Sequence, residues 1–329
     1  MPLLSIDPQT SSATGIRRWL SPWRLFLNSL LATSLGLGTS TRGSEASASI
    51  DKTLSRIALR LDHYARRIDD YFGDNQRFIE QANTRVTLSI KGLMQTVGGN
   101  ETDYALRAKV SLPRVEKRLH LFFSKDSGSD GALGDNSDFF GPRGGLDSTS
   151  NLGLQYFFRD HGESNISMRI GAKIRDGSLH MFTGPRYRRT FEYRDWLGRF
   201  TQELLWHTDD GWESDTRLNF DRLLANRLLF RTNLRGLWLE SNEDGYEYSL
   251  DFALDQTLTS GRIVRYEWNN AFKSGVGGQL NETRVRVRYR HALWKKRLFS
   301  EIAPQLAFRD DENFRASWGV ELKLELVID

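Results

Sequence analysis

Arg284, Arg286, Arg288 and Arg290 occupy every second position of one run, with Val285, Val287 and Tyr289 between them. Guanidiniums at that spacing have two uses. They can form an electropositive wall, since rings of Arg or Lys favour anions, or they can pair with carboxylates and brace a structure. His180 and His207 form a second constellation, with Glu203 and Asp215 expected nearby. Two imidazoles and two carboxylates suit a metal site or acid–base chemistry, against the plainer reading of two unrelated rim histidines. No serine stands in nucleophile relation to either histidine, and His63, His120, His161 and His291 show no ligand spacing. The chain has no cysteine, which removes disulfides, a thiolate nucleophile and a cysteine-ligated metal. It also lacks a phosphate-cradling glycine loop, a hydrolase elbow and a zinc-protease signature. The expectation is a non-enzyme without metal or cofactor, with a lipid-directed hydrolase around His180 and His207 as the alternative.

Alternation is what positions these groups. In a strand, successive side chains point to opposite faces, so the four arginines share one face and the apolar residues the other. From about Thr84 onward this period of two recurs. It predicts fourteen strands: 84–97, 102–112, 117–125, 150–159, 164–174, 178–190, 197–207, 212–222, 228–240, 246–258, 263–274, 282–293, 298–309 and 316–328. Most reach the ~9–11 residues that a tilted membrane-spanning strand needs, where a soluble strand usually has ~5–6. The predicted fold is therefore all-β: a transmembrane, up-and-down antiparallel β-barrel of fourteen strands, with twelve as the alternative count.

One face of these strands is apolar: Val86, Leu88 and Ile90; Leu152, Leu154 and Phe158; Leu322, Leu324, Leu326 and Ile328. The other face carries charge. Its basic wall comprises Arg107, Lys109, Arg169 and Lys173 besides the arginine ladder, and its acidic partners are Glu203, Asp215, Glu267 and Glu301. Hairpin counting sets Arg290 opposite Glu301 and Arg288 near Glu267, leaving Arg284 and Arg286 less paired. Eight strands leave an interior filled by side chains and sixteen to eighteen leave a channel, so long arginines decide whether a fourteen-stranded lumen is narrowed or closed. Aromatic girdles are expected from Trp206, Trp212, Trp238, Tyr246 and Trp318 at one end and Trp196, Trp294 and Phe299 at the other. The longest connection, about 125–149, reads as a solvated outer loop; its acidic residues lack calcium-loop order.

Residues 1–48 read as a signal peptide: Arg17, Arg18 and Arg24, the apolar stretch Leu25 to Gly38, and the small-residue site Ala46-Ser47-Ala48. Removing it takes four arginines, Asp7 and Glu45, lowering the formal charge from +4 to +2. Basicity is thus no argument for a nucleic-acid partner. Residues 49–83 hold an amphipathic helix with a stripe of Ile50, Leu54, Ile57, Leu61, Tyr64, Ile68 and Tyr71. It is expected in the periplasm, packed on the barrel's own rim. Docking on a partner, self-association or entry into the barrel mouth are the other readings. The barrel fills 84–329.

These residues carry a resemblance. Thr190-Phe191-Glu192-Tyr193-Arg194-Asp195-Trp196-Leu197 and Leu218-Asn219-Phe220-Asp221-Arg222 are similar to stretches of uncharacterised Gram-negative outer-membrane β-barrel proteins. The end, with Ser317, Gly319, Leu322, Leu324 and Leu326, resembles a barrel-assembly signal, but closes on Ile328-Asp329 in place of an aromatic. The resemblance implies the outer membrane, with its lipid and lipopolysaccharide and the barrel-assembly machinery as partners. The expected function is a narrow porin-like channel with a basic lumen for small solutes. The alternative is a plugged barrel that anchors a periplasmic partner through residues 50–82.

Overall fold

The protein is described from a computed structural model, which describes residues 60–69, 71–72, 85–111, 119–127, 150–161, 163–175, 177–242, 245–273, 279–294 and 297–328. The fourteen strands are β1 (Arg85–Gln95), β2 (Glu101–Ser111), β3 (Leu119–Ser127), β4 (Ser150–His161), β5 (Ser164–Arg175), β6 (Ser178–Tyr193), β7 (Trp196–His207), β8 (Gly211–Ala225), β9 (Leu228–Leu239), β10 (Tyr246–Thr259), β11 (Arg262–Lys273), β12 (Gln279–Trp294), β13 (Leu298–Arg309) and β14 (Ser317–Ile328). Each pairs antiparallel with its neighbours in sequence, and β14 pairs with β1 to close the barrel. Fourteen, not twelve, is the count. Closure leaves no strand edge, the condition for backbone to cross hydrocarbon.

The side-chain distribution is inverted relative to a water-soluble protein. Leu88, Ile90, Leu152, Phe158, Ile170, Leu322, Leu324 and Ile328 are exposed, while Arg231, Arg265, Arg286, Arg288 and Arg290 are among the most buried side chains. Apolar outside and charged inside is the pattern of a wall between lipid and a polar lumen. Among the expected girdle residues, Trp206, Trp212, Trp294 and Trp318 are exposed. Phe299 is a correction: it is 5% exposed and faces the lumen. It precedes inward Glu301 by two residues, and the period of two puts both on one face.

Close approaches are made at inward glycines. Gly153 and Gly171 are partners across β4 and β5, flanked by Phe122 on β3 and Phe182 on β6, whose rings lie over them. At Gly184 a Cβ would sit 1.8 Å from the Leu204 carbonyl oxygen of β7. The two-residue turn between β6 and β7 holds Arg194 at a φ of 54°, in the left-handed region that side chains seldom adopt.

The end of the barrel where β1 begins and β14 stops is its base. Residues 60–69 and 71–72 are helical. Their apolar face does not lie on the outside of the rim. It enters the lumen at the base, where Leu61, Ala65, Ile68, Tyr71 and Phe72 are buried. The leader, Ile50, Leu54, Ile57 and the loop 128–149 lie outside the described residues.

Candidate functional site

The site is the closed base of the barrel. Inward-facing Leu197 of β7, Leu229 of β9, Ile263 of β11, Phe299 of β13 and Val327 of β14 form an apolar ring that receives the helix. Each stands at the base end of its strand, and four of the five follow a bulky apolar neighbour, so alternation breaks there: Trp196-Leu197, Leu228-Leu229, Leu298-Phe299 and Leu326-Val327; Ile263 follows the exposed Arg262. Sequence reasoning missed this ring, and the paired apolar residues were the signal that marked it. A polar lumen has no other use for such side chains, because burying them requires an apolar partner.

Polar groups fix the helix in this socket. The Asp69 carboxylate accepts a hydrogen bond from the Arg231 guanidinium, which also donates to Asp221 at 3.1 and 3.2 Å. Tyr71 donates its hydroxyl hydrogen to the Gly261 carbonyl at 2.6 Å, and the Tyr64 hydroxyl lies 2.6 Å from that of Thr257. Phe72 reaches furthest toward the ladder: its ring lies 4.1 Å from the Arg265 guanidinium and 5.0 Å from that of Arg288. Cations over an aromatic face are attracted to its quadrupole, more so where water is excluded. The helix therefore touches the arginine ladder directly.

The ladder is not an uncompensated positive wall. Arg286 donates to Glu267 at 2.7 Å, Arg288 donates to Glu301 at 2.6 and 3.1 Å and to Glu267 at 3.3 Å, and Arg290 pairs with Glu325. Register sets Arg290 opposite Glu301 and Arg286 opposite Glu267. Arg286, expected to be less paired, is thus held by a carboxylate, since a direct cross-strand partner is nearer than counting through the hairpin implied. Arg284 is the least compensated: its Nε lies 3.3 Å from Glu282, and its Nη2 has no hydrogen-bond partner among the described residues. Such buried pairs contribute little net stability but penalise the loss of either partner, because the other charge is then stranded.

Arg169 and Lys173 are paired in the same manner. Arg169 donates to Glu203 at 2.5 Å, and Lys173 lies 3.0 Å from Asp209 and 2.8 Å from Asp210. Asp215 accepts from Arg235 at 2.7 and 3.0 Å and from Arg217. Arg107 lies on β2 in register with Thr87; the Lys109 side chain lies outside the described residues.

His180 and His207 do not come together with Glu203 and Asp215. His180 Nδ1 is 3.4 Å from Asp209, and His207 Nε2 is 2.9 Å from Glu213. Phe182, not His180, lies across from His207, with ring centroids 5.9 Å apart. Glu203 and Asp215 are cross-strand partners engaged by arginines instead. The register fixed at the Arg194 turn, which pairs Tyr193 with Trp196 and Phe182 with His207, sets this offset. Among the described residues no group of three or more His, Asp or Glu side chains is placed to hold a metal ion.

No protein-family model matches the chain, and no curated protein sequence matches it. Solved structures similar to it include a KdgM porin in complex with disordered oligogalacturonate, with 10% identity over 73% of this chain and 98% of that one at a TM-score of 0.36. Salmonella typhi OmpF in complex with daunomycin shares 7% identity over 75% of this chain and 97% of that one, at a TM-score of 0.47. Pseudomonas aeruginosa OccK5 shares 11% identity over 74% and 97%, at 0.43. The closed antiparallel wall, apolar outside and ion-paired inside, makes this chain a fourteen-stranded membrane-spanning β-barrel of the outer-membrane type.

Proposed function

We propose that the protein is a channel for small solutes that rests closed, with its own helix as the stopper in the periplasmic mouth. One observation carries this reading: Leu61, Ile68 and Phe72, each at most 2% exposed, are sealed into the ring of Leu197, Leu229, Ile263, Phe299 and Val327. The barrel wall does not need the helix for its charge balance. Without Asp69, Arg231 keeps both hydrogen bonds to Asp221, and Asp255 keeps its 2.5 Å bond from Arg265. A stopper that the wall can lose without stranding a charge is a removable one. In the open state the passage would be lined by paired arginines and carboxylates, with Arg284 as the cation least neutralised and so the strongest source of anion preference.

The test is planar-bilayer conductance of the whole chain and of a chain lacking residues 60–72. The whole chain is expected to conduct rarely, and the shortened chain to conduct steadily with an anion preference that falls in Arg284→Gln. A shortened chain that folds and shows no conductance refutes the channel.

A further inference from the structure

The face that the helix turns away from its socket carries Arg60, Arg66 and Arg67, all exposed, with the Arg66 side chain 65% exposed. Asp62 neutralises part of it, 2.5 Å from Arg66. The base turns around the helix add exposed Arg227, Arg262 and Arg297. Arg227 and Arg262 stand beside it, since Tyr64 binds Thr257 and Tyr71 binds Gly261. Among the described residues the exposed carboxylates at this end are Glu163, Glu192 and Asp195; Glu192, near the end of β6, is close enough to Glu163 and to Asp62 of the helix to feel their charge. Among the described residues, exposed arginines therefore outnumber exposed carboxylates around the helix, and the base is a cationic patch with an acidic edge toward Glu192.

We infer that this patch is a docking surface for an acidic peptide segment of a periplasmic protein, which grips the stopper by its exposed face. Charge and place select the occupant. Guanidiniums match carboxylates bidentately, so a run of Asp or Glu is the complementary chemistry. Lipid headgroups surround the outside of the wall, where Arg227, Arg262 and Arg297 can reach them. The helix lies inside the wall, so Arg60, Arg66 and Arg67 are open to a soluble polyanion and not to the leaflet. A partner bound there acts on the helix that fills the mouth. The inference requires the seated helix but not a conducting barrel, and its test reads binding and not current.

The probe is poly-L-glutamate, titrated against the full chain in neutral phosphatidylcholine nanodiscs at low salt, with poly-L-lysine as the opposite-charge control. Binding is expected to weaken at least tenfold in Arg60→Gln/Arg66→Gln/Arg67→Gln, and to weaken with salt as exposed charge contacts do. Those substitutions touch only exposed side chains, so the barrel and the socket are retained. Three outcomes overturn the inference: no binding of poly-L-glutamate, equal binding by the triple variant, or loss of binding only in Arg227→Gln/Arg262→Gln/Arg297→Gln accompanied by adhesion to phosphatidylglycerol vesicles. The last assigns the patch to a lipid surface.

Discussion

Ile68→Asp is the sharpest perturbation of the socket. Ile68 is 1% exposed and packs in the ring that also holds Leu229 and Phe299. Removing its burial costs ~1.5–3 kcal/mol. Seating a carboxylate there without a partner adds several kcal/mol more. A combined penalty of about 4 kcal/mol, at ~1.4 kcal/mol per factor of ten, raises the fraction of unseated helix by about a thousandfold. The assay uses the absence of native cysteine. Leu61→Cys places a single thiol at a site that is 2% exposed, so maleimide labels it only when the helix leaves. Labelling is expected to be slow in that variant and about a thousandfold faster when Ile68→Asp is added, up to the rate of a freely exposed thiol at His63→Cys. Gel mobility of the folded barrel should be unchanged, because the wall keeps its own pairs. Equal labelling rates with and without Ile68→Asp would refute the sealed socket, as would a Leu61→Cys thiol that reacts as fast as His63→Cys.

Three further outcomes follow from the socket and the wall. Arg231→Met strands Asp221 inside the wall and should lower stability by roughly 3–5 kcal/mol in urea unfolding from lipid vesicles, whereas Asp69→Asn, which leaves the Arg231–Asp221 pair intact, should alter barrel unfolding little and accelerate Leu61→Cys labelling. Gly184→Ala forces β6 and β7 apart at a point where a Cβ meets a carbonyl oxygen at 1.8 Å; overpacking of this sort costs ~1–3 kcal/mol, read as a lower urea midpoint, and an unchanged midpoint contradicts that contact.

The barrel was legible because alternation and strand length are local. Ser317 to Ile328 shows its two faces in the sequence itself, and the β12–β13 hairpin is short enough for counting to bring Arg290 to Glu301. The socket was not legible in the same way. Asp69 and Arg231 lie 162 residues apart, and nothing in either segment names the other. The ring needs five strands to be placed before it exists, although the doubled apolar residues at Leu228-Leu229 and Leu298-Phe299 were visible departures from the period. The histidine reading failed for a related reason. A spacing of two residues along β6 decides whether His180 or Phe182 faces His207, and only the register at the Arg194 turn fixes that.

The socket also imposes an order of events. Its wall draws on β7, β9, β11, β13 and β14, and Val327 stands near the end of the last strand. The helix is made before all of them, yet it has no complete seat until β14 is in place. The early segment must wait through the insertion of every later hairpin, and its docking marks the moment the wall is finished. Maturation can therefore be timed from a single buried thiol at position 61: protection of that site reports that the last strand has joined the first.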